Sequence, residues 1–232
     1  MYSLDVIVPF FNEEKLLEKS VTNLIQANIH DKIYLVNNSS TDNSKGIAQL
    51  LSKGREDIIY LETNDSMGKG VGIQTAIQHL ESTHTIIHDA DLEYFPEDIK
   101  AMKKLSKKNE NSLILGSRFI GDQKRLSKYR RTIFANRFLS KLFSFIYGCS
   151  VSDIATCYKL IPNEYFKKMN LSENGFSIEI EIVAKYLKMH KPQIIEVPIR
   201  YHGRTFEEGK KIKLSDGFQY IIKILYYKFL RL

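Results

Sequence analysis

TIIHDADLEYFPED, residues 85–98, sets an apolar run (Ile86, Ile87) directly against Asp89-Ala90-Asp91, then reaches Glu93 and a proline-opened acidic turn. A short apolar run that stops at a turn signal reads as a buried strand. Two carboxylates one residue apart at a strand's end can share one hard cation. Mg²⁺ or Mn²⁺ takes such ligands and leaves room for substrate phosphates. The stretch therefore points to a diphosphate-bearing substrate held through a metal at the end of a strand. Pro96-Glu97-Asp98 also reads as a helix start, which accounts for part of the acidity without any ligand. An isolated Asp-x-Asp is a common solvated turn, so the weight falls on its surroundings.

Outward from it, a strand-then-helix unit recurs. Residues 4–10 (LDVIVPF) form a β-branched run, and Asn12-Glu13-Glu14 opens an amphipathic helix to about Ala27. A second strand over 33–36 leads into the polar turn 37–42, where Thr41 or Asp42 can cap a helix carrying Ile47, Leu50 and Leu51. A third strand over 58–61 precedes the loop 64–70 and a helix to Leu80; residues 86–88 and 113–115 are the fourth and fifth strands. This alternation predicts an α/β fold with a mostly parallel sheet flanked by helices. Ligands of such sheets bind at the C-terminal ends of the strands. Residues 9–13, 37–40 and 89–93 all fall there, so remote segments line one cleft.

The second half is less regular. Residues 121–131 are basic and turn-like, and they feed a helix with Phe134, Phe138, Leu142, Phe145 and Ile146 at helical spacing. A helix over 177–189, a strand over 194–198 and a charged loop over 201–212 follow. The last helix, 215–230, aligns Phe218, Ile221, Ile222, Leu225 and Phe229. The amphipathic helices near 131–147 and 215–230 have basic flanks and suit an acceptor-side, membrane-facing role. Glu179 and Glu181 read as an exposed helical face, His88 as facing a strand neighbour, and Cys157 as packing. Gly68-Lys69-Gly70 falls short of a phosphate-loop signature and reads as a turn that touches the donor. No repeat or linker divides the chain, so one domain over 1–232 is expected.

Composition narrows the partners. The 34 Lys and Arg outnumber 27 Asp and Glu, for a net charge of +7, which favours an anionic partner. Two cysteines, Cys149 and Cys157, make no disulfide framework and predict a reducing cytoplasm. No signal-like leader precedes the first strand, and no window approaches the roughly 18 uninterrupted apolar residues of a spanning helix, so any membrane contact is expected to be peripheral, at the cytoplasmic face.

Seven ordered motifs carry a resemblance: VPFFNEE (8–14), VNNSSTD (36–42), MGKG (67–70), DADLEYFPED (89–98), GSRF (116–119), SDIATCYK (152–159) and HGRTFEEGKKI (202–212). Across nearly its whole length the chain resembles the dolichyl-phosphate mannose synthases and polyprenyl-phosphate glucose synthases, inverting glycosyltransferases of the GT-A (nucleotide-diphospho-sugar transferase) fold. The resemblance implies that Pro9, Phe11, Glu13, Val36 and Asn38 hold the nucleoside. It implies that Asp89 and Asp91 coordinate Mg²⁺ or Mn²⁺, with Glu93 as a further metal-side residue and Ala90 between them at the donor. Arg118, Arg204 and Lys210 would contact donor or acceptor phosphates, as forked guanidiniums and compact ammoniums suit. Where relatives read Val-Asp-Asp-Gly-Ser, this chain has Val36-Asn37-Asn38-Ser39-Ser40, so an amide that both accepts and donates replaces a carboxylate. Ala155 stands where an acidic residue often occurs.

The expected reaction is metal-dependent transfer of a hexose from GDP-mannose or UDP-glucose to a polyprenyl (dolichyl-type) phosphate. Asp91, Arg118 and Arg131 would serve the transfer itself. The rival acceptor is a saccharide hydroxyl in glycan or polysaccharide synthesis, which requires a general base, and Asp153 is the candidate. A basic nucleic-acid-binding module ranks below both, because no nucleic-acid motif appears and acids cluster where an anion binder would avoid them. Without a spanning helix in the sequence, a lipid acceptor implies surface adhesion or a membrane-protein partner.

Overall fold

Leu4–Phe10 (β1) is buried along its whole length. Both faces are covered, so its branched apolar residues run on without a polar side. Lys32–Asn37 (β2) and His84–Ile87 (β4) flank it, both parallel, and Ile58–Glu62 (β3) lies beyond β2. Leu113–Ser117 (β5), Lys159–Pro162 (β7) and Ile194–Pro198 (β8) complete the main sheet. The computed structural model describes residues 1–63, 68–122, 125–126, 130–189, 193–205 and 214–229. Among them the main sheet has seven strands in the order β3-β2-β1-β4-β7-β5-β8. Only β7 runs antiparallel to its neighbours. A small ribbon pairs Arg125–Leu126 (β6) with Tyr201–His202 (β9), and Tyr94 bridges to Tyr201.

The expected α/β architecture with a mostly parallel sheet is present. Helices Leu17–Ala27 (α1), Ser44–Ser52 (α2), Lys69–Ile77 (α3) and Ile99–Ser106 (α4) follow β1 to β4 in turn. The first begins later than Asn12-Glu13-Glu14 suggests, because Asn12 adopts a left-handed φ of 50° and the Glu13 carbonyl starts the hydrogen bonds, accepting from the amides of Leu16 and Leu17. Pro96–Asp98 is a single 3₁₀ turn with proline at its start, leading into α4. The strand β7 and the short helix Asn163–Lys168 (α6) are additions to the sequence reading.

One expectation is corrected. The helix Ile178–Tyr186 (α7) has no exposed acidic face: every one of its residues is buried, Glu179 and Glu181 included. Their charges are met internally. Glu181 pairs with Lys185 at 2.8 Å and accepts from the Ser172 amide at 2.9 Å. In Arg130–Tyr147 (α5) and Leu214–Phe229 (α8), the residues at helical spacing divide between core and surface, with Leu142, Ile146 and Ile221 packed against the core. Leu139, Phe143, Tyr220, Ile224 and Tyr227 are buried, whereas Phe134, Phe138, Phe145, Phe218, Ile222, Leu225 and Phe229 are exposed, Phe145 by 87% and Phe229 by 79%. The two helices pack on each other, and Tyr147 donates its hydroxyl to the Ile224 carbonyl at 3.0 Å.

His88, just past β4, sits in the core as expected for a strand neighbour. Its Nδ1 lies 2.9 Å from the Tyr158 hydroxyl and its Nε2 3.2 Å from Ser20 Oγ. Burial holds its pKa down at about 4, against an ordinary 6.5. Between those values the unfolded chain binds a proton that the folded one refuses. Stability from this site is therefore complete above pH 6.5 and lost as pH falls towards 4, by about 3 kcal/mol at most. Urea unfolding of His88→Gln from pH 7 to 4 should show a shallower decline than the parent chain; parallel declines would contradict this.

Candidate active site

Because β1, β2 and β4 are parallel neighbours, the loops that follow them leave the same edge of the sheet. Each turns sharply through a non-glycine residue with left-handed φ: Asn12 at 50°, Ser39 at 60° and Leu92 at 60°. Such residues cost on the order of 1 kcal/mol each, so the surroundings must hold them. The first two loops are stitched together: Asn12 Oδ1 accepts from the Thr41 amide at 2.8 Å, and the Glu13 amide donates to Ser44 Oγ at 2.8 Å.

The loops enclose a cleft of about 390 Å³ whose wall includes Pro9, Phe11, Glu13, Asn38, Asp89, Ala90, Asp91, Glu93, Arg118 and Arg204. Ten side chains singled out in the sequence thus meet in one place. Val36 does not join them, since it is wholly buried in β2. Arg131 lies in the first turn of α5, and Lys210 falls outside the described residues.

At one end of the cleft, Asn37 and Asn38 divide their tasks. Asn37 is structural: its amide nitrogen donates to Glu62 at 3.2 Å and its oxygen accepts from the Ser40 amide at 3.0 Å. Asn38 is 3% exposed, and its Oδ1 has no hydrogen-bond partner among the described residues. A buried amide oxygen left alone is costly, which marks it as an acceptor awaiting a donor. The amide fits because residue 72 is glycine; a Cβ there would lie 2.5 Å from Asn38 Oδ1.

Charges alternate along the floor. Lys69 Nζ lies 2.7 Å from Asp89 Oδ1 and 2.7 Å from Glu179 Oε1. Burial alone would raise the Asp89 pKa, but Lys69 holds it below the usual carboxylate range. Arg204 Nη2 lies 3.2 Å from Asp91 Oδ2 and 3.4 Å from Glu13 Oε1. Glu93 accepts from the Arg204 amide at 2.7 Å and from the Tyr201 hydroxyl.

Asp89, Asp91 and Glu93, the ligand set expected from sequence, all line the cleft and lie close enough that Glu93 and Asp89 act electrostatically on Asp91, though among the described residues no group of three or more His, Cys, Asp or Glu side chains is arranged to hold an ion. Asp89 is turned to Lys69, and Glu93 to Tyr201 and the loop before Arg204. Asp91 is different. Desolvation and the nearby charges of Glu93 and Asp89 push its pKa up to about 8, with Arg204 offsetting only part of this. A carboxylate so placed gains from a further cation. One protein carboxylate, with phosphate oxygens and water as the other ligands, is a donor set that Mg²⁺ or Mn²⁺ accepts. The residues fit a substrate-assisted metal site centred on Asp91.

Asp153, expected as the candidate base for a hydroxyl acceptor, is engaged by a cation. It is fully buried, and Arg118 binds it through two parallel bonds, Nε to Oδ2 at 2.7 Å and Nη2 to Oδ1 at 2.8 Å. The Arg118 guanidinium also lies 4.9 Å from the Tyr201 ring centroid. Arg118 therefore reaches the cleft as a fixed cation with a dedicated counter-ion. Sequence reasoning missed Lys69 as an ion-pairing residue, along with Glu179, Lys159 and Tyr201. For Glu179 a signal existed: in Ser177-Ile178-Glu179-Ile180-Glu181-Ile182 the acids are flanked by isoleucines on every side, which a solvated helical face would not require.

Residues 5–169 match the family model described as glycosyl transferase family 2. Glycosyltransferase AglJ of Haloferax volcanii is 25% identical over 86% of this chain and 63% of its own length. Dolichyl-phosphate beta-glucosyltransferase ALG5D of Trichomonas vaginalis is 26% identical over 94% of this chain and 71% of its own. The chain thus spans about two thirds of these relatives. Glucosyl-3-phosphoglycerate synthase from Mycobacterium tuberculosis, solved with Mn²⁺, UDP-glucose and phosphoglyceric acid, superposes with a TM-score of 0.71 at 15% identity, over 100% of this chain and 81% of that one. The fold is therefore GT-A-like, as the sequence resemblance implied.

Removing the Asp153 carboxylate should strand the Arg118 charge. Asp153→Ala is expected to lower the unfolding free energy by about 3–5 kcal/mol in denaturant titrations. A loss under about 1 kcal/mol would show that the pair is not buried as described.

Proposed function

The chain belongs to glycosyl transferase family 2, and from that premise we propose that it moves a hexose from a nucleoside-diphosphate sugar to a polyprenyl phosphate. One observation carries the reading: a single cleft joins a lone amide acceptor at Asn38, an aromatic ring at Phe11, and the paired charges Asp89–Lys69 and Asp91–Arg204. Together these are the chemistries that a nucleoside diphosphate calls for. The Phe11 ring offers a stacking face for a base. Asn38 Oδ1 accepts a ring N–H, which uracil and guanine both carry, so UDP-glucose and GDP-mannose both satisfy it. The similarity to proteins named dolichyl-phosphate beta-glucosyltransferase, and to a fold solved with UDP-glucose and Mn²⁺, supports glucose and uridine.

In the transfer, the bond between the anomeric carbon and the diphosphate breaks as an acceptor oxygen bonds that carbon from the opposite face. Negative charge gathers on the departing nucleoside diphosphate. Lys69 and Arg204 stand at the cleft to stabilise it. A divalent ion held by Asp91 would add Lewis-acid stabilisation of the same charge. A phosphate acceptor is already anionic and needs positioning, not deprotonation. A saccharide hydroxyl needs a base, and Asp153, with both oxygens on Arg118, is occupied. That favours the lipid phosphate over the hydroxyl acceptor. Arg118 and Arg131 are the cations assigned to the acceptor side.

The surface of α5 and α8 supports a lipid partner. Exposed Phe134, Phe138, Phe145, Phe218 and Phe229 share these two helices with Arg137, Lys141, Lys223 and Lys228. Apolar rings with basic neighbours suit the boundary of an anionic bilayer. Tyr220 of α8 lines the cleft while Phe218 and Ile222 face outwards, so one helix borders both the site and that surface. Among the described residues no helix is long and apolar enough to cross a membrane. Contact would be peripheral or through a membrane-protein partner.

Incubation with labelled UDP-glucose or GDP-mannose and a short polyprenyl phosphate should give a lipid-linked sugar, and Asp91→Asn should lower kcat/KM by about 100-fold or more. Transfer to an oligosaccharide but not to the lipid phosphate would overturn the acceptor. Phe145→Asp combined with Phe229→Asp should abolish cosedimentation with anionic phosphatidylglycerol vesicles without lowering Tm, as both rings are exposed; unchanged sedimentation would remove the membrane-facing role.

A further inference from the structure

Beneath the cleft, four side chains of alternating sign form an unbroken row. Asp89 meets Lys69 at 2.7 Å, Lys69 meets Glu179 Oε1 at 2.7 Å, and Glu179 Oε2 meets Lys159 at 2.5 Å. Lys159 also donates to the Thr156 carbonyl. The row draws on four separate segments: the loop after β4, the start of α3, the strand β7 and the helix α7. Lys159 has no exposed surface, and Glu179 is 2% exposed. Charges held this far from water are commonly no better for stability than apolar residues of the same volume, so stability alone does not account for them.

The cleft end of the row gives the reason. An ammonium group has three N–H donors. Asp89 and Glu179 both lie against the Lys69 ammonium, which holds the head group at the wall of the cleft. The backbone that carries Lys69 is pinned to the segment leading into α7. The Gly70 amide donates to the Asn174 carbonyl at 2.8 Å. Cβ atoms at Gly68 and Gly70 would come within 2.3 Å of the Asn174 oxygen and 1.8 Å of the Glu173 oxygen. No side chain fits there, so the two segments pack backbone against backbone.

We propose that Glu179 is a positioning residue for the donor site: backed by Lys159, it fixes the Lys69 ammonium, and through it the Asp89 carboxylate, in the orientation that receives a nucleoside diphosphate. This rests on the donor reading given above. Each Glu179 oxygen faces a lysine ammonium, Oε2 hydrogen-bonded to Lys159 and Oε1 in an ion pair with Lys69 that makes no hydrogen bond among the described residues, so Glu179 acts through its neighbours.

The test separates positioning from simple charge balance. Glu179→Gln alone leaves Lys159 buried without its partner and should lower Tm. Glu179→Gln combined with Lys159→Met removes both charges of that pair, and its Tm should return close to that of the parent chain. Calorimetric titration with UDP and, separately, GDP in the presence of Mg²⁺ then reads the site. The double variant should bind the nucleotide that the parent chain prefers about tenfold more weakly or worse, as loss of a supporting shell does elsewhere. Parent-level affinity in the double variant would overturn the inference while leaving the donor site intact. Binding of neither nucleotide by the parent chain would overturn the donor reading and the inference with it. A second comparison holds even if the double variant folds poorly. Because Glu179 works through Lys69, adding Glu179→Gln to Lys69→Met should weaken nucleotide binding no further. An additional tenfold loss would show that Glu179 acts by another route and would overturn the inference.

Discussion

The parallel pairing of β1 with β2 and β4 governs everything else in this molecule. Hydrogen bonds along these strands register Pro9 with Val36 and Ile7 with Ile87. Three chain segments must then leave the sheet side by side. A corner at Phe11 and Asn38 and an acidic corner at Asp89 and Asp91 share one cleft, although Asp89 follows Phe11 by 78 residues and Asn38 by 51. Burial of both sheet faces makes the register hard to slip, because a shift of one residue would turn each strand's side chains to the opposite face. The precision of the cleft is inherited from that constraint, and the left-handed residues Asn12, Ser39 and Leu92 are tolerated because the loops brace one another.

Much of this was legible from sequence. The parallel strands announce themselves as continuous apolar runs bounded by turn residues, since a strand covered on both faces has no polar side to confuse the pattern. The acid pair after β4 and the polar turn after β2 could be placed at one edge on topology alone. What could not be read has physical causes. β7 is four residues long, begins with a lysine and inserts antiparallel between β4 and β5, so neither its length nor its position follows the alternation. Glu179 and Glu181 looked solvated because charged helix residues usually are; their partners Lys69, Lys159 and Lys185 come from packing that spacing does not reveal. In α5 and α8 the spacing did not separate the buried residues from the exposed ones. These helices are apolar on more than one side, and only the tertiary contact selects Leu139, Phe143, Ile224 and Tyr227 for the interior.

Electrostatics then shape the site. The cleft sets three cations against five acids: Lys69 with Asp89 and Glu179, Arg204 with Asp91 and Glu13, Arg118 with Asp153. An anion arriving with a divalent cation adds opposite charges together and does not deepen that acidic excess. Asp91, whose pKa stands near 8 from desolvation and its acidic neighbours, is where the added cation helps most. Carboxylates and cations that already hold each other need little rearrangement to hold a ligand instead, the property that makes a preorganised site effective.

Diffraction from crystals grown with UDP-glucose and MnCl₂, with data collected at the manganese edge, addresses the account at its root. An anomalous peak beside the Asp91 carboxylate, with the diphosphate between Lys69 and Arg204 and the base against Asn38, is the result expected. A nucleotide bound elsewhere, or manganese lodged away from Asp91 while the cleft stays empty, would contradict it.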